Sequence, residues 1–224
     1  MTDDATLRVL VCDDHPLFRR AVVTALEDAG MQVVAEAATG AESIRRAIDH
    51  APDVVLMDLR MPEGTGVEAT EAIRRARPWS RVLVLTVSDD LDELLSAVRA
   101  GAIGHLRKEE SMTVLPDAVR AVHRGSVVLG PGLARSIRLE LDRIVRARRD
   151  ADESTGDQPT WIPSDRQRDL LDRVAEGADV RSAASALGID ETMARTELRA
   201  AVEGLHRLAV HDATKTADGA PGVG

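Results

Sequence analysis

The stretch that decides the fold is Val54-Val55-Leu56-Met57-Asp58-Leu59-Arg60-Met61-Pro62-Glu63-Gly64-Thr65-Gly66. Four apolar residues run directly into Asp58, and a proline and two glycines follow, as expected for a strand that is buried on both faces. Ligands bind at the carboxyl ends of strands in an open α/β sheet. We therefore interpret Asp58 as a functional carboxylate, although a single aspartate at such a place is more often a helix cap or a turn residue.

Strands and helices alternate around this stretch. Apolar strands are predicted at residues 7–12, 32–37, 54–58, 81–87 and 103–106, and amphipathic helices at residues 16–30, 41–50, 67–76, 91–100 and 112–123. Five strands that are each followed by a helix require a parallel sheet with helices on both faces. The predicted fold class is therefore α/β, a doubly wound five-stranded parallel sheet, and a second, smaller all-α domain follows it.

Polar side chains stand at four of the predicted strand ends. Asp13 and Asp14 follow the first strand, Asp58 ends the third, Thr86 lies at the end of the fourth, and Lys108 follows the fifth. These ends meet at one edge of a doubly wound sheet, where three carboxylates need a cation and offer the oxygen ligands that suit Mg²⁺. A hydroxyl and an ammonium beside the cation suit phosphoryl oxygens. The set predicts phosphoryl transfer onto a carboxylate.

Each of these residues also has an ordinary structural interpretation. The two aspartates could charge the first turn of a helix, the threonine could be a common strand residue, and the lysine could be solvated. Four such coincidences at four strand ends are less expected than one functional site.

Composition limits the class of protein. The 224 residues are 44% hydrophobic and 30% charged, which fits two small globular domains. Neither a membrane-length apolar run nor a signal peptide is recognisable, and Cys12 has no second cysteine to pair with, so we expect a cytoplasmic protein without membrane association. The net charge of −9 and the 1% aromatic content argue against non-specific or single-stranded nucleic-acid binding.

Residues 7 to about 125 resemble a response-regulator receiver domain, whose fold is flavodoxin-like. The resemblance rests on Val9-Leu10-Val11-Cys12-Asp13-Asp14-His15-Pro16, Asp58-Leu59-Arg60-Met61-Pro62-Glu63-Gly64-Thr65-Gly66, Leu85-Thr86 and Gly101-Ala102-Ile103-Gly104-His105-Leu106-Arg107-Lys108.

The resemblance implies a role for each matching residue. Asp58 would be the phosphoacceptor for a sensor histidine kinase. Mg²⁺ would be held by Asp14, Asp58 and the backbone carbonyl of Arg60, with Asp13 acting largely through a bound water. Thr86 and Lys108 would each contact a phosphoryl oxygen.

Two positions depart from this family pattern. His105 stands where the family usually has tyrosine or phenylalanine, the ring that swings inward when the equivalent of Thr86 engages the phosphoryl group. His105 is either a smaller, titratable version of that switch or a partly exposed strand-end histidine. Val87 follows Thr86 where a smaller residue would leave more room, so we expect it to narrow the approach of water to a phosphorylated Asp58.

Four segments are predicted along the chain. They are a receiver domain at residues 1–125, a linker helix with an acidic flexible linker at residues 126–159, a helix-turn-helix domain at residues 160–211, and a disordered tail at residues 212–224.

The helix-turn-helix prediction rests on two short helices around a glycine turn, after a helix that begins with a capping box at Ser164 and Gln167. The segment resembles the DNA-binding domain of NarL/FixJ (LuxR-type) regulators. Its markers are Ser164, Arg166, Gln167, Ala175-Glu176-Gly177, Ala184, Leu187-Gly188-Ile189 and Leu205. The match is degenerate, because the family usually has glutamate at the position of Gln167.

Four outward residues of the recognition helix are predicted to contact DNA: Thr192, Arg195, Thr196 and Arg199. Glu197 opposes this, as does a net charge of −2 over residues 160–211, where seven arginines face nine acidic residues. Because phosphate contacts supply much of any DNA affinity, we expect weak or phosphorylation-dependent binding.

The sequence therefore predicts a two-component response regulator, not an enzyme, that regulates transcription through double-stranded DNA and pairs as a homodimer on phosphorylation. The alternative is a receiver whose output domain contacts proteins, as a heterodimer partner or an antagonist. An aspartyl-phosphate phosphatase would need its nucleophile and a second aspartate two residues later, both after the first strand. A dinucleotide enzyme would need a glycine-rich loop there, and the chain has neither arrangement.

Overall fold

The computed structural model of the chain describes residues 6–155 and 161–218, and the side chains of residues 6–109, 112–147 and 161–210. It divides into two compact units, with the boundary between Leu129 and Gly130.

The first unit is a doubly wound α/β domain, which confirms the predicted fold class. Its parallel strands are β1 (Arg8–Cys12), β2 (Gln32–Ala37), β3 (Val54–Asp58), β4 (Arg81–Thr86) and β5 (Ala102–Arg107), in the sheet order β2-β1-β3-β4-β5. Its helices are α1 (Pro16–Asp28), α2 (Gly40–His50), α3 (Gly66–Ala76), α4 (Leu91–Ala100) and α5 (Lys108–His123).

The sheet order explains where a site can form. Strand β3 lies at the centre and all five of its residues are buried, as its unbroken apolar run predicts. From β1 the chain first adds β2 on one side and then crosses to β3 on the other, so the strand order reverses between β1 and β3. Cys12 pairs with Met57, so Asp13 and Asp58 follow at adjacent positions of this switch point.

A close backbone approach holds the loop after β3 in place. The nitrogen of Gly66 donates to the carbonyl of Leu59 at 2.9 Å, and Thr65 forms a capping box with Glu68 at the start of α3. A Cβ atom on Gly66 would lie 2.0 Å from the Asp58 carbonyl oxygen. The absence of a side chain at Gly66 is therefore what allows α3 to begin directly beside the end of β3.

Helix α5 begins four residues earlier than the sequence predicts. It starts at Lys108, whereas we expected it at residue 112, because Lys108-Glu109-Glu110-Ser111 contains no apolar residue to reveal a helical period. The side chain of Lys108 thus belongs to the first turn of a helix and not to a loop.

The first unit also extends past the predicted boundary at residue 125. Val128 forms a parallel bridge with Gly104, and the His105 nitrogen donates to the Val128 carbonyl at 3.0 Å. A Cβ atom on Gly104 would lie 2.3 Å from that carbonyl oxygen. Residues 126–129 therefore complete the edge of the sheet beside β5.

The second unit is all-α, with helices α6 (Pro131–Thr155), α7 (Asp165–Ala175), α8 (Val180–Ala186) and α9 (Glu191–Asp218). Helix α6 packs against α7 and buries the apolar stripe Leu133, Ala134, Ile137, Leu141, Ile144 and Val145. We predicted a separate linker helix, but a stripe of this width is buried only against a partner helix, so α6 is part of the second unit.

Both polar segments predicted to be flexible are partly helical. Helix α6 runs to Thr155 within the acidic segment 150–159, and residues 156–160 lie outside the described residues. Helix α9 runs to Asp218 within the predicted tail 212–224, and residues 219–224 lie outside the described residues. No glycine or proline occurs from residue 205 to residue 218, so nothing in that sequence interrupts the backbone hydrogen bonds of α9.

Among the described residues, no helix is long and apolar enough to span a membrane.

Candidate functional site

Two buried carboxylates share one ammonium group at the switch point of the sheet. Asp13 is 1% exposed and Asp58 is 3% exposed. The Nζ atom of Lys108 lies 2.7 Å from Asp13 Oδ2 and 2.7 Å from Asp58 Oδ2. Residues from the ends of three strands are therefore in direct contact, as their places in the sequence predict.

The position of Lys108 follows from the start of α5. As the first residue of that helix, it directs its side chain back over the sheet edge, and Nζ lies 4.9 Å from the centre of the Phe18 ring of α1. The aromatic ring and the two carboxylates together fix the ammonium in a largely buried place.

The electrostatics of the two carboxylates and Lys108 favour an additional cation. Burial raises the pKa of Asp58, and the hydrogen bond and charge of Lys108 oppose this rise without cancelling it. Burial alone would lower the pKa of Lys108, but its hydrogen bonds to Asp13 and Asp58 outweigh that effect and raise it. Lys108 therefore stays charged at neutral pH, and its single positive charge faces the two carboxylates of Asp13 and Asp58.

A metal ion fits this surplus of negative charge. Ligand atoms of Asp13, Asp14, His15 and Asp58 all lie within 4.8 Å of one another. The buried Oδ1 atom of Asp14 lies 2.6 Å from the Nδ1 atom of His15. Carboxylate oxygens that converge in this way are the ligands that Mg²⁺ takes in proteins, so the donor set fits a divalent cation.

Two loops complete the rim of the site, and one of their contacts was not predicted. The nitrogen of Arg60 donates to Asp58 Oδ1 at 3.3 Å, as suits a residue held beside that carboxylate. Its guanidinium donates to Glu93 of α4 and, at 3.2 Å, to the hydroxyl of Ser88. These residues are far apart in the sequence, so no local sequence pattern predicts their contact.

Thr86 lies at the end of β4 with its side chain 1% exposed. Its hydroxyl accepts a hydrogen bond from the Ser88 nitrogen at 2.9 Å. A hydroxyl that accepts can still donate, so Thr86 keeps a proton for a second partner.

His105 is half-buried on β5, two positions before Arg107, which pairs with Asp89 at 3.0 Å. The backbone of His105 is tied to Val128, as described above. These contacts join β5 to the β4–α4 loop on one side and to the end of the unit on the other.

The four residues predicted to contact DNA lie on the first turns of α9. Thr192 and Thr196 are exposed, and the Thr196 hydroxyl donates to the Thr192 carbonyl at 2.9 Å. Arg195 is ion-paired with Glu191, and the Nε of Arg199 lies 4.0 Å from a carboxylate oxygen of Glu203.

Two acidic side chains of α9 also hold it to the neighbouring helices. Glu191 also accepts from Arg181 of α8 at 3.2 Å, so one carboxylate holds arginines of both helices of the turn. Glu197, whose negative charge opposes DNA binding, accepts a hydrogen bond from the Gln167 amide of α7 at 2.9 Å. The Glu197 side chain thus joins α7 to α9.

The fold and site define a flavodoxin-like domain with an acidic cluster at its carboxyl edge, followed by a helical unit. A family model, described as the response regulator receiver domain, matches residues 9–120. The nitrate/nitrite response regulator protein NarP of Escherichia coli (strain K12) is 34% identical over 200 residues, which cover 89% of this chain and 88% of that protein. The transcriptional regulatory protein NarL of Mycobacterium tuberculosis (strain ATCC 25618 / H37Rv) is 33% identical over the same shares.

Solved structures agree. The signal receiver domain of Mycobacterium tuberculosis NarL is 38% identical, with a TM-score of 0.52, and the match covers 54% of this chain and 98% of that one. The response regulator ChrA of a heme-sensing two-component system is 28% identical, with a TM-score of 0.50, over 95% of this chain and 98% of that one. This chain belongs to the response regulators, in the group that includes NarL and NarP, and its first unit is the receiver domain.

Proposed function

We propose that this protein is a cytoplasmic two-component response regulator that takes a phosphoryl group onto Asp58 from a sensor histidine kinase and regulates transcription by binding DNA. The observation that carries the proposal is the contact of Lys108 with both Asp13 and Asp58 at the switch point of the sheet. That arrangement offers a nucleophilic carboxylate and a fixed cation for the oxygens of an incoming phosphoryl group.

The reaction follows from these groups. An oxygen of Asp58 attacks the phosphorus of a phosphohistidine, the new O–P bond replaces the P–N bond, and the electron pair leaves with the imidazole. Asp14, Asp58 and the carbonyl of Arg60 would hold Mg²⁺, with Asp13 acting through a bound water. When bound, that ion neutralises charge on the phosphoryl oxygens. Lys108 then exchanges its contact with Asp58 for a phosphoryl oxygen.

Thr86 connects the reaction to a change of conformation. To donate to the phosphoryl group, its hydroxyl moves toward Asp58 and draws on the loop that begins at Ser88. His105 takes the space that Thr86 leaves. The face made by α4, β5 and α5 is thereby repositioned, and it either releases the second unit or pairs two receivers.

The pairing of two receivers matters because the second unit of a single protein molecule binds DNA weakly. Arg195 and Arg199 have acidic neighbours on their own helix, so DNA phosphates must compete with Glu191 and Glu203 for them. Two linked units on neighbouring half-sites compensate, since the second contact is then intramolecular.

The experiment is selection of genomic DNA fragments by the full-length protein with Mg²⁺ at low salt, with and without beryllofluoride, a mimic of phosphoaspartate. We expect a recurrent paired motif that is enriched with the mimic. Arg195→Ala should then weaken binding to that motif by about 1–3 kcal/mol, while Arg173→Ala, on α7, leaves it unchanged. Equal enrichment in both arms would retain DNA binding and refute the switch.

The second candidate is an output unit that contacts proteins, as a heterodimer partner or an antagonist of another regulator. The excess of acidic over basic residues in residues 160–211 and the pairing of Glu191 with two arginines favour it. Absence of any motif in either arm, from protein that still binds beryllofluoride, would select this candidate.

A substitution of Val87 tests how water reaches phosphorylated Asp58. It follows Thr86 in the sequence, and it is 57% exposed, so its side chain is open to solvent. Val87→Ala should speed loss of the phosphoryl group about threefold, which corresponds to less than about 1 kcal/mol of barrier. The rate is measured with phosphorus-32-labelled protein, with Val114→Ala on α5 as the control. An unchanged rate would show that Val87 does not obstruct water.

A further inference from the structure

A tryptophan is exposed on the receiver domain at the edge of the sheet opposite Asp58. Trp79 lies in the turn between α3 and β4, just before β4 begins at Arg81, and it is 89% exposed. The strands are parallel and Asp58 ends β3, so the turn and the proposed phosphorylation site lie at opposite edges. A single exposed apolar side chain is common in soluble proteins, so this exposure alone indicates no function.

The backbone of the turn is held in place by hydrogen bonds. The Ser80 nitrogen donates to the Arg77 carbonyl at 3.1 Å, which closes a turn with a proline and Trp79 at its central positions. The buried Ser80 hydroxyl donates to the Pro52 carbonyl at 2.7 Å, and the Arg74 guanidinium donates to the Ser80 carbonyl at 3.0 Å. The indole is therefore presented to solvent by a fixed backbone, so a partner that binds it has little chain to order.

Positive charge accompanies the tryptophan at this edge. Residues 74–81 carry four arginines and no acidic residue, although the chain has a net charge of −9. Arg81 donates to the His123 carbonyl at 2.7 Å, which brings the end of α5 and the following Arg124 to the same edge. Among the side chains that the structure describes, no carboxylate pairs with Arg77, Arg81 or Arg124. Three guanidinium groups at this edge therefore have no anionic partner within the unit.

We propose that this edge of the receiver domain is a docking surface for an acidic peptide segment of a partner protein. The surface, which we call the Trp79 patch, consists of Trp79, Arg77, Arg81 and Arg124. Tryptophan and arginine are the residue types that most often supply binding energy in protein interfaces. Guanidinium groups bind carboxylates through paired hydrogen bonds, which gives the patch its preference for acidic side chains. An indole that is almost fully exposed at a turn does not line a cleft, so it suits a protein and not a small molecule.

Charge also distinguishes a peptide from DNA as the occupant of the Trp79 patch. The receiver unit, residues 1–129, holds fifteen lysines and arginines against twenty-one acidic residues. A DNA duplex extends beyond the patch and would meet this negative surface, whereas a short peptide covers only the arginines. The patch lies away from Asp58, so its role does not depend on phosphoryl transfer.

The test is selection of short random peptides, displayed on phage, by the immobilised full-length protein at low salt. Peptides that Trp79→Ala protein retains are removed first. We expect the remaining peptides to share a run of aspartate and glutamate beside an apolar residue. A selection that leaves no peptide after this subtraction, or that enriches sequences without acidic residues, would overturn the proposal.

Calorimetry with a selected peptide measures the contribution of each side chain. Trp79→Ala should weaken binding about thirtyfold, the effect of a hot-spot residue, and Arg77→Ala about fivefold. Arg20→Ala changes an exposed arginine of α1 and is the matched control, which should bind like wild type. Binding should also weaken as the salt concentration rises, because the contacts are between charges. Circular dichroism confirms that each variant is folded.

Fluorescence locates the peptide on the protein. In Trp161→Phe protein the remaining tryptophan is Trp79, whose emission should shift to the blue when a peptide covers the indole. Binding without a shift would place the peptide elsewhere and overturn the Trp79 patch. A double-stranded oligonucleotide that wild type binds, and that both Trp79→Ala and Arg77→Ala release, would identify nucleic acid as the occupant and overturn the peptide.

Discussion

We expect Asp58→Asn to abolish phosphorylation of this protein by a histidine kinase and by small phosphodonors. The amide keeps the size of the side chain and can still accept from Lys108, but it has no carboxylate oxygen to attack phosphorus. Incorporation of labelled phosphate should fall to background. Asp49→Asn, on the exposed side of α2, is the control and should be labelled like wild type.

The same substitution should stabilise the protein without metal. Burial raises the pKa of Asp58, so the native state holds this carboxylate less readily in its charged form than the unfolded chain does. A group whose pKa is raised by folding contributes stability below its unfolded pKa and loses it as pH rises through the folded pKa. At neutral pH the charge is therefore a cost, which asparagine removes.

Chemical denaturation with a chelator present should give a free energy of unfolding higher by about 1 kcal/mol for Asp58→Asn, a usual size for one site. The gain should shrink when Mg²⁺ is added, because the ion stabilises only the wild-type carboxylate. Lower stability in the chelator would contradict the view that the carboxylates are crowded. Residual labelling of Asp58→Asn would move the phosphoacceptor to another residue.

Gly66→Ala should destabilise the receiver domain by at least about 3 kcal/mol, the upper range for overpacking. The new Cβ atom would lie 2.0 Å from the Asp58 carbonyl oxygen and 2.7 Å from the Leu59 Cα atom. Both are backbone atoms, so relief requires α3 to move away from β3. Asp58 is displaced in that movement, and phosphorylation of the folded fraction should also decrease.

Gly204→Ala is the matched comparison in the second unit. Its Cβ atom would lie 2.4–2.5 Å from atoms of the Trp161 ring. Trp161 is a side chain that can shift, and its ring also contacts Arg207. We expect a smaller loss, confined to the second unit. Hydrogen exchange followed by mass spectrometry assigns each loss to its unit, with Trp161 fluorescence as a second probe. A loss below about 1 kcal/mol for Gly66→Ala would show that the loop after β3 adapts easily.

Much of the architecture could be predicted, because each element carries its own signal. The unbroken apolar run before Asp58 marks a strand covered on both faces, and Thr65 and Ser164 mark helix starts through their capping boxes. Once five strands alternate with helices, chain topology brings the ends of parallel strands to one edge. The proximity of Asp13, Asp58 and Lys108 was predictable for that reason.

The elements that were misjudged lack such a local signal. The first turn of α5 is wholly polar, and the end of α9 differs from a solvated tail only by the absence of glycine and proline. The assignment of α6 to the second unit depends on which surface covers its apolar stripe. A sequence shows that a stripe exists and not what it packs against.

By itself, the sequence determined the α/β alternation, the helical character of the second unit and the identity of the residues at the strand ends. These depend on short-range periodicity and on topology. Only the tertiary structure decided which side chains pair across elements: Arg60 with Glu93, Glu197 with Gln167, and Glu191 with Arg181. These contacts form across turns, loops and neighbouring elements, so their partners are set by distances that arise only when the chain has packed.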